Sequence, residues 1–442
     1  MASLALEEPV GRAGVRVLGG ISVFWVALGL LSDGLVTLVL PVHLERAGER
    51  GATTLGLIAF VGLATGTAAQ PVAGAISDRL RPVHGRRAVL VAGGLAAVVG
   101  LGLLAVAGSV ATILLAFVVV QVAVATAQAA QQGYLPDLVP PAQRGIAAGL
   151  KGLADVGGAA LGFVVLGALL NGGGPRPALI AAAAALLVGL LITVVLVREP
   201  RRRLAVSRGR LRRVLAVDLT RDRPFLTAVA ARFLFLLGTF AVGRFFLFFV
   251  EDRIAAGGGD AALKAGALLG VLALVTALAA PPAGWAADRV GRHAVMLVGA
   301  AASTTGVALL ATARSPGAVL AFGGLMAVGS AAFSAANWAR TADTAPPAEA
   351  GRYLALANMG TAGAAAAAGL LGPLVDRGGA GPGRGYGALF AACALLFAAS
   401  GAVVVVDLRR AISRRRVARS GRGMAAAPTG TSGNDQREVD HA

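Results

Sequence analysis

The chain has 442 residues, of which 57% are hydrophobic and only 14% are charged. A soluble domain carries about a quarter charged residues, so this composition excludes an ordinary soluble fold and indicates a polytopic membrane protein. The net charge of +18 does not indicate nucleic-acid binding, because the basic residues lie mainly in short loops and tails. One cysteine and four scattered histidines exclude a disulfide framework and a metal site built from these residues.

Twelve apolar segments are each long enough to cross a hydrocarbon layer about 30 Å thick, which a helix of about 20 residues spans. They lie near residues 17–40, 53–77, 88–108, 111–134, 146–170, 178–197, 224–250, 264–287, 294–313, 318–339, 353–375 and 387–408. The first segment is not followed by a small-residue cleavage site, so we expect it to be retained as a helix.

The longest internal polar interval, 198–223, divides these segments into two groups of six. We therefore predict an all-α membrane protein with five parts. They are an N-terminal tail at 1–16, a six-helix bundle at 17–197, a central loop at 198–223, a second six-helix bundle at 224–408 and a basic, disordered tail at 409–442.

The basic residues alternate along the chain. The termini, the central loop and the intervals 78–87 and 288–293 hold most of them, and the loops between hold few. Because basic loops remain in the cytoplasm, both termini are predicted to be cytoplasmic. Arginine far outnumbers lysine, and alanine and glycine are abundant, which is typical of a GC-rich bacterial genome. We therefore expect a monomeric, multi-pass protein of a bacterial plasma (inner) membrane.

One polar hairpin occurs twice, and both copies read Gly-x-x-x-Asp-Arg, a spacer and Gly-Arg. The residues are Gly74, Asp78, Arg79, Gly85, Arg86 and Arg87 in the first copy and Gly284, Asp288, Arg289, Gly291 and Arg292 in the second. The stretches 136–145 and 342–351 also match, at the same offset of 206 residues that separates Gly85 from Gly291. Two unrelated features at one offset predict that the two halves are parallel repeats.

This hairpin resembles the signature loop of the major facilitator superfamily of secondary transporters, which lies between helices 2 and 3 and has a weaker copy between helices 8 and 9. The resemblance implies twelve helices in two six-helix bundles that rock about a central substrate site. It also implies a cytoplasmic gate, in which Asp78 meets the start of helix 11 near Arg352. By the repeat, Asp288 meets the start of helix 5 near Arg144. The alternative is that the arginines only anchor the topology.

An ionised side chain inside a predicted segment costs at least ~2.5–3.5 kcal/mol and so faces a cavity or a partner. The charged residues of this kind that are candidates for coupling or substrate binding are Asp33, Lys151, Asp155 and Arg232. At about 1.5 Å of rise per residue, Asp155 lies near the membrane midplane and Asp33 in the outer third. Either carboxylate can carry a proton, or give oxygen ligands to Na⁺. Arg232 is a candidate partner for an anionic group of the substrate or for a carboxylate.

Two structural ion pairs are also predicted. Lys151 precedes Asp155 by four residues on one helical face, so a purely structural pair is the alternative to coupling. Arg244 lies at the predicted outer interface close to Glu251 and Asp252, with which we expect it to pair.

Neutral polar side chains mark three segments. Segment 4 carries Gln121, Gln128, Gln131 and Gln132, segment 10 carries Asn337 and Trp338, and segment 11 carries Asn358. Gln131 and Asn337 share the 206-residue offset, so we expect them to face each other across the cavity. Amides and an indole suit a polyol, by hydrogen bonding and by stacking. The alternative is that these groups bridge neighbouring helices.

The sequence predicts a secondary active transporter of a small, sugar-like solute, coupled to a proton or to Na⁺. The long first spacer and the stretch 136–141 resemble the glycoside–pentoside–hexuronide:cation symporters and sucrose-type transporters. The alternatives are a drug or metabolite exporter, although segment 5 lacks the Gly-Pro pair of drug antiporters, and a receptor that moves no solute.

The sequence contains no hydrolase or metalloprotease motif, so we expect no enzyme activity, no cofactor and no metal. The expected partners are the lipid bilayer and a small solute, without nucleic acid.

Overall fold

A computed structural model describes residues 14–140, 143–199, 222–255, 260–345, 350–377 and 385–425. Within these ranges the side chains at 81–84, 136, 148, 350–352 and 414–425 are outside the description. Nearly all of the predicted N-terminal tail, most of the central loop and the end of the C-terminal tail therefore lie outside the described residues.

In the described part of the chain, twelve helices are long and apolar enough to cross a membrane, and no strand is present. They are numbered α1 to α12 and span Val15–Arg46, Ala52–Leu80, Gly85–Val106, Val110–Leu135, Arg144–Gly173, Pro175–Leu196, Arg223–Arg244, Ala261–Val290, Arg292–Leu310, Pro316–Thr344, Tyr353–Asp376 and Tyr386–Ser413. This confirms the all-α class and the twelve segments. A helix satisfies its backbone hydrogen bonds internally, as a segment in lipid must.

The last helix runs beyond its apolar part. It continues as a helix from Tyr386 to Ala425, whereas the composition predicts a disordered tail from residue 409. Alanine and arginine both favour the helical backbone, so a helix started in the apolar part can extend through the basic stretch.

The helices form two bundles, α1–α6 and α7–α12, with repeated internal contacts. In the first bundle α1 packs against α5 and α6, and α3 packs against α4. In the second, α7 packs against α11 and α12, and α9 packs against α10. Phe235 of α7 stacks on Phe333 of α10 with 3.9 Å between ring centroids, and lies 4.7 Å from Phe397 of α12. These aromatic contacts join three helices of the second bundle into one core.

The two ends of the bundles differ. We call the end where α2, α4, α8 and α10 finish the basic end, because the two polar hairpins lie there, and we call the other the distal end. At the distal end the bundles touch. Gly56 of α2 lies so close to α11 that an added Cβ would come within 2.0 Å of the carbonyl oxygen of Gly369. An added Cβ at Gly167 of α5 would likewise lie 2.7 Å from the carbonyl oxygen of Ala262 in α8.

A carboxylate also joins the two bundles at the distal end. Asp376, at the end of α11, accepts hydrogen bonds from the backbone N–H groups of Ala52 (3.0 Å) and Thr53 (2.7 Å), the first residues of α2. It also accepts one from the Thr53 hydroxyl at 2.6 Å. The start of a helix carries unsatisfied N–H groups and partial positive charge, which a carboxylate neutralises.

At the basic end the two bundles diverge. Gly74 of α2 and Gly284 of α8, where the resemblance implies close helix approach, have open space around the position of an added Cβ. The side chains of Asp78 and Asp288 are 68% and 70% exposed. The structure is therefore closed at the distal end and open at the basic end.

Regular helix is interrupted at equivalent places in α1 and α7. Leu35–Val39 of α1 is a π-helical turn, a feature often found at functional sites. In the second bundle Phe245 has φ −106° and ψ 11°, and it separates α7 from a short helix at Phe246–Arg253. At the 206-residue offset of the repeat Val39 corresponds to Phe245, and the π-helical turn contacts the helices on both sides of Phe245.

Candidate functional site

A cavity of about 510 Å³ lies between the two bundles. Its wall is formed mainly by α1, α2, α4 and α5 from the first bundle and by α7, α8, α10 and α11 from the second. Most of the lining is apolar, and includes Phe163, Phe240 and Phe246. A small number of polar groups on an apolar wall is the usual composition of a small-molecule site.

Asp33 and Asp155 both line this cavity. Gly29, one turn before Asp33, makes the approach possible, because an added Cβ there would lie 2.3 Å from the carbonyl oxygen of Asp155. The small residue lets α1 and α5 cross closely. Asp33 is exposed to the cavity and Asp155 is half-buried. Neither carboxylate has an ion-pair partner among the described residues, and the two interact electrostatically with each other.

Lys151 does not pair with Asp155 in the described part of the structure. Its ammonium group lies over the ring of Trp25 in α1, 3.9 Å from the ring centroid. The predicted structural ion pair is therefore replaced by a cation–π contact, which an aromatic face offers to a cation within about 6 Å.

Of the glutamines of α4, Gln121 and Gln128 line the cavity, and Gln132 is exposed outside it. Gln70 of α2 also lines the cavity and was not indicated by the sequence pattern. A polar amide side chain within a long apolar segment is the signal that could have identified Gln70.

Gln131 and Asn337 do not face each other across the cavity. Each is fully buried inside its own bundle. Gln131 Nε2 donates to the carbonyl oxygen of Ile21 in α1 at 2.8 Å, and Asn337 Nδ2 donates to that of Ala228 in α7 at 3.0 Å. The structure thus corresponds to the alternative that the sequence left open, in which amides bridge neighbouring helices. The repeat is preserved, because both residues make the same kind of contact.

Arg232, Trp338 and Asn358 lie outside the residues that line the cavity. Arg232 Nε donates to the Thr361 hydroxyl at 2.8 Å, and the guanidinium lies 5.0 Å from the ring centroid of Trp338. Trp338 and Asn358 are exposed. Trp338 and Thr361 therefore partner Arg232, and the indole is not placed to stack on a solute in the cavity.

Arg244 corrects a prediction. It is not paired with Glu251 or Asp252 at an outer interface, because it is only 5% exposed and lines the cavity. Its Nη2 donates to the carbonyl oxygen of Ala365 in α11 at 3.0 Å. Regular helix ends directly after Arg244, at the interruption at Phe245, and the acidic residues belong to the separate short helix that follows. Distance along an ideal helix could not indicate this.

The two hairpins form matching ion-pair clusters at the basic end. Arg86 pairs with Asp78 at 2.7 Å and with Asp137 at 2.6 Å. Arg292 pairs with Asp288 at 3.3 Å and with Asp343 at 2.5 Å. Asp137 and Asp343 belong to the second repeated stretch, so each cluster ties a hairpin to the end of α4 or α10 within one bundle.

One carboxylate near the end of each bundle contacts residues of these clusters or beside them. Glu199, after α6, accepts hydrogen bonds from the backbone N–H groups of Arg86 (2.8 Å) and Arg87 (2.6 Å) at the start of α3. Asp407 of α12 accepts from His293 at 2.9 Å and from Arg340 at 2.9 Å. The sequence pattern indicated neither carboxylate.

The remaining gate residues make local contacts. Gly85 and Gly291 have φ of 72° and 104°, the left-handed region that favours glycine. Arg289 lies 4.2 Å from the ring centroid of Trp285, and Arg79 is exposed. Arg144 Nε donates to the carbonyl oxygen of Val139 at 3.3 Å. The side chain of Arg352 lies outside the described residues.

The chain matches the family model of the Major Facilitator Superfamily over residues 20–272 and 259–428. A variant of the nucleoside transporter NupG has a TM-score of 0.70 at 15% sequence identity, covering 89% of this chain and 100% of that chain. Unsubstituted NupG has a TM-score of 0.68 at 14% sequence identity, covering 89% of this chain and 98% of that chain. A bacterial homologue of the human lysosomal transporter Spinster, in an inward-facing and unoccupied conformation, has a TM-score of 0.64 at 16% sequence identity. The match covers 90% of this chain and 96% of that chain. At these identities the likeness shows the fold. No curated protein sequence matches the chain.

Proposed function

The chain belongs to the Major Facilitator Superfamily of small-solute transporters, and we propose that it carries a small, hydroxylated, sugar-like solute in symport with a proton. The family and the fold point to a transporter embedded in the lipid bilayer rather than to an enzyme. In the proposed cycle the two bundles rock about the central cavity, which opens at one end and then at the other.

The observation that carries the proposal is the pair of carboxylates in the cavity. Asp33 and Asp155 have no ion-pair partner among the described residues. Enclosing two like charges away from water is costly, and protonation of one of them lowers that cost. In each transport cycle a proton would therefore be taken up at one face of the membrane and released at the other. Na⁺ is the alternative coupling ion, because the same oxygens could contribute to its coordination.

The sugar-like solute is supported by the polar part of the wall. Gln70, Gln121 and Gln128 offer amide donors and acceptors, and Ser330 and Ser334 offer hydroxyls. Ser330 Oγ is buried and has no hydrogen-bond partner among the described residues. A polyol could use both the donor and the acceptor capacity of these groups.

We place the basic end in the cytoplasm, because positively charged loops are retained there. The arrangement described above would then be open to the cytoplasm. When the basic end closes, Asp78 and Asp288 would leave solvent and meet the starts of α11 and α5 in the gate that the resemblance implies.

A second candidate function, export of a more apolar compound, is favoured by the aromatic lining at Phe163, Phe240 and Phe246. In that case the proton and the solute would cross the membrane in opposite directions. Direction of transport distinguishes the two candidates.

The proposal is tested with purified protein in liposomes. Uptake of labelled sugars, nucleosides and apolar drugs is measured with an imposed pH gradient, with a Na⁺ gradient and with neither. We expect uphill uptake of a hydroxylated solute driven by the pH gradient. Solute exchange without any gradient would also occur, because exchange needs no net proton movement.

Variants separate coupling from binding. Asp33→Asn and Asp155→Asn are each expected to lower uphill uptake and to leave exchange intact. Glu45→Gln is the matched control, because that carboxylate pairs with Arg50 at the distal surface. Unchanged uphill uptake in both Asp variants would exclude proton coupling through this pair. Failure of every solute to exchange would argue for a protein that binds without transporting.

A further inference from the structure

The guanidinium of Arg244 is held inside the cavity wall with most of its hydrogen-bonding capacity unused. The residue is only 5% exposed and lines the cavity. One nitrogen, Nη2, donates to the Ala365 carbonyl. The other two, Nε and Nη1, are buried and have no acceptor among the described residues. A buried charged group without partners costs several kcal/mol, and a partner that arrives during function would offset that cost.

Lys151 and Arg232, the two cations that the sequence placed at membrane depth, have their contacts elsewhere. Lys151 rests on the ring of Trp25. Arg232 rests near Trp338 and donates to a threonine hydroxyl. Neither of them lines the cavity. Of the three, Arg244 is therefore the one that lines the cavity and that has donors without an acceptor among the described residues.

The carboxylates of the cavity do not take these donors in this arrangement. Asp33 interacts electrostatically with Arg244, but the two lie beyond ion-pair distance. Among the described residues that line the cavity, Arg244 is the one cation beside the two carboxylates. An anionic group of a solute could take the donors of Arg244 that Asp33 and Asp155 leave unused.

The backbone around Arg244 supports a ligand site. The residue lies directly before the interruption at Phe245, and the π-helical turn of α1 contacts this region. Interrupted helices at membrane depth occur where the backbone lines a binding site or a water-filled cavity. Thr37, within the π-helical turn, lines the same cavity as Arg244.

We propose that Arg244 binds an anionic group of the transported solute, and that this group is a carboxylate on a hydroxylated, monosaccharide-sized molecule. The inference rests on the proposed function and narrows its substrate to a sugar acid. A planar guanidinium matches a carboxylate with two parallel hydrogen bonds. A phosphate ester fits less well, because its second negative charge would face Asp33 and Asp155. Since Nε and Nη1 are covered here, the site is completed when Arg244 turns toward the solute.

The test uses sugar acids and the neutral sugars of the same ring, beginning with D-glucuronate and D-glucose. Binding to the wild-type protein is measured by ligand-induced thermal stabilisation and by tryptophan fluorescence. We expect an acid to bind at least about 100-fold more tightly than its neutral counterpart, the value of a charge-assisted bidentate contact of about 3 kcal/mol. Equal binding of acid and neutral sugar, or no binding of any acid, would overturn the inference.

Variants then identify the residue. Arg244→Gln is expected to weaken acid binding about 100-fold, and Arg244→Lys about 10-fold, because lysine keeps the charge but not the paired donors. Asp33→Asn should tighten acid binding by removing a competing anion. Arg314→Gln, at an exposed arginine of the distal surface, is the matched control. Unchanged acid binding in Arg244→Gln would refute the assignment. If that variant does not fold, Arg244→Lys decides, because unchanged acid binding in it would likewise refute the assignment.

The outcomes distinguish this inference from the function on which it rests. Gradient-driven uptake of a neutral sugar with no preference for acids would retain the proposed function and overturn the Arg244 inference. Arg244-dependent binding of an acid, without any effect of the pH gradient on its uptake, would support the inference and overturn proton coupling.

Discussion

Replacement of Asp376 by alanine is expected to open the distal end of the protein. Asp376 belongs to the second bundle, and its three hydrogen-bond donors belong to Ala52 and Thr53 of the first. The contact exists only while the bundles are closed at this end. The proposed alternating access requires that the contact breaks once in each cycle, so its loss is expected to change the balance between the two forms rather than the integrity of either bundle.

The size of the effect follows from the contact. A hydrogen bond to a charged group contributes about 1.5–3 kcal/mol, and a carboxylate at a helix start adds about 0.3–1 kcal/mol. Asp376 is half-buried, and water replaces part of its interactions when the contact opens. We therefore expect a net loss of about 2–3 kcal/mol for the closed form. That is about a 30- to 140-fold change in the ratio of closed to open forms.

The assay is the distance between spin labels attached at Gly108→Cys and Arg314→Cys. Both positions are exposed at the distal end, in opposite bundles and at equivalent places in the repeat. The native Cys393 is fully buried and should remain unlabelled. We expect one short distance in the parent protein and a second, longer population in Asp376→Ala.

Glu45→Gln is the control for this experiment, because its carboxylate lies at the same end but pairs with Arg50 in its own bundle. It should leave the distances unchanged. An identical distance distribution in Asp376→Ala and the parent would refute the reasoning. So would an equal shift in the control, since the effect would then not depend on a contact between bundles.

Two further predictions concern the stability of the purified protein in detergent, measured by thermal unfolding. Gly85→Ala should be more destabilising than Gly291→Ala. Both force φ > 0 on alanine, at about 1–2 kcal/mol, but only at Gly85 would the Cβ meet a carboxylate oxygen of Glu199, at 2.2 Å. Equal losses of stability in the two variants would show that the Glu199 side chain moves away from the added Cβ without cost. Asp407→Asn should cost about 1–3 kcal/mol, because it removes the charged acceptor of Arg340. An unchanged unfolding temperature would mean that the pair contributes no net stability.

Much of the fold was accessible from the sequence for physical reasons. Twelve apolar runs of membrane length leave few other folds, since each must satisfy its own backbone hydrogen bonds. The repeat was visible as a common offset, and it reappears in the matching clusters of Arg86 with Asp137 and of Arg292 with Asp343. The extension of the last helix to Ala425 was missed, because a polar composition does not exclude a helix that is already started.

The site was less accessible. The sequence located the charged residues by depth, and depth does place Asp33 and Asp155 within reach of a central cavity. Depth does not say which face of a helix a residue occupies relative to its neighbours. Gln131 and Asn337 were consequently assigned to the cavity, although their amides bridge helices within each bundle.

What the sequence determined by itself was the number of helices, the repeat and the polar hairpins, because these depend on apolar length and on local order along the chain. The tertiary structure decided three other things: that Arg244 lines the cavity, that Asp376 joins the two bundles, and that the distal end is closed. Each depends on contacts between residues far apart in sequence, or on a break in regular helix. Such contacts arise from the packing of whole helices, which local periodicity does not encode.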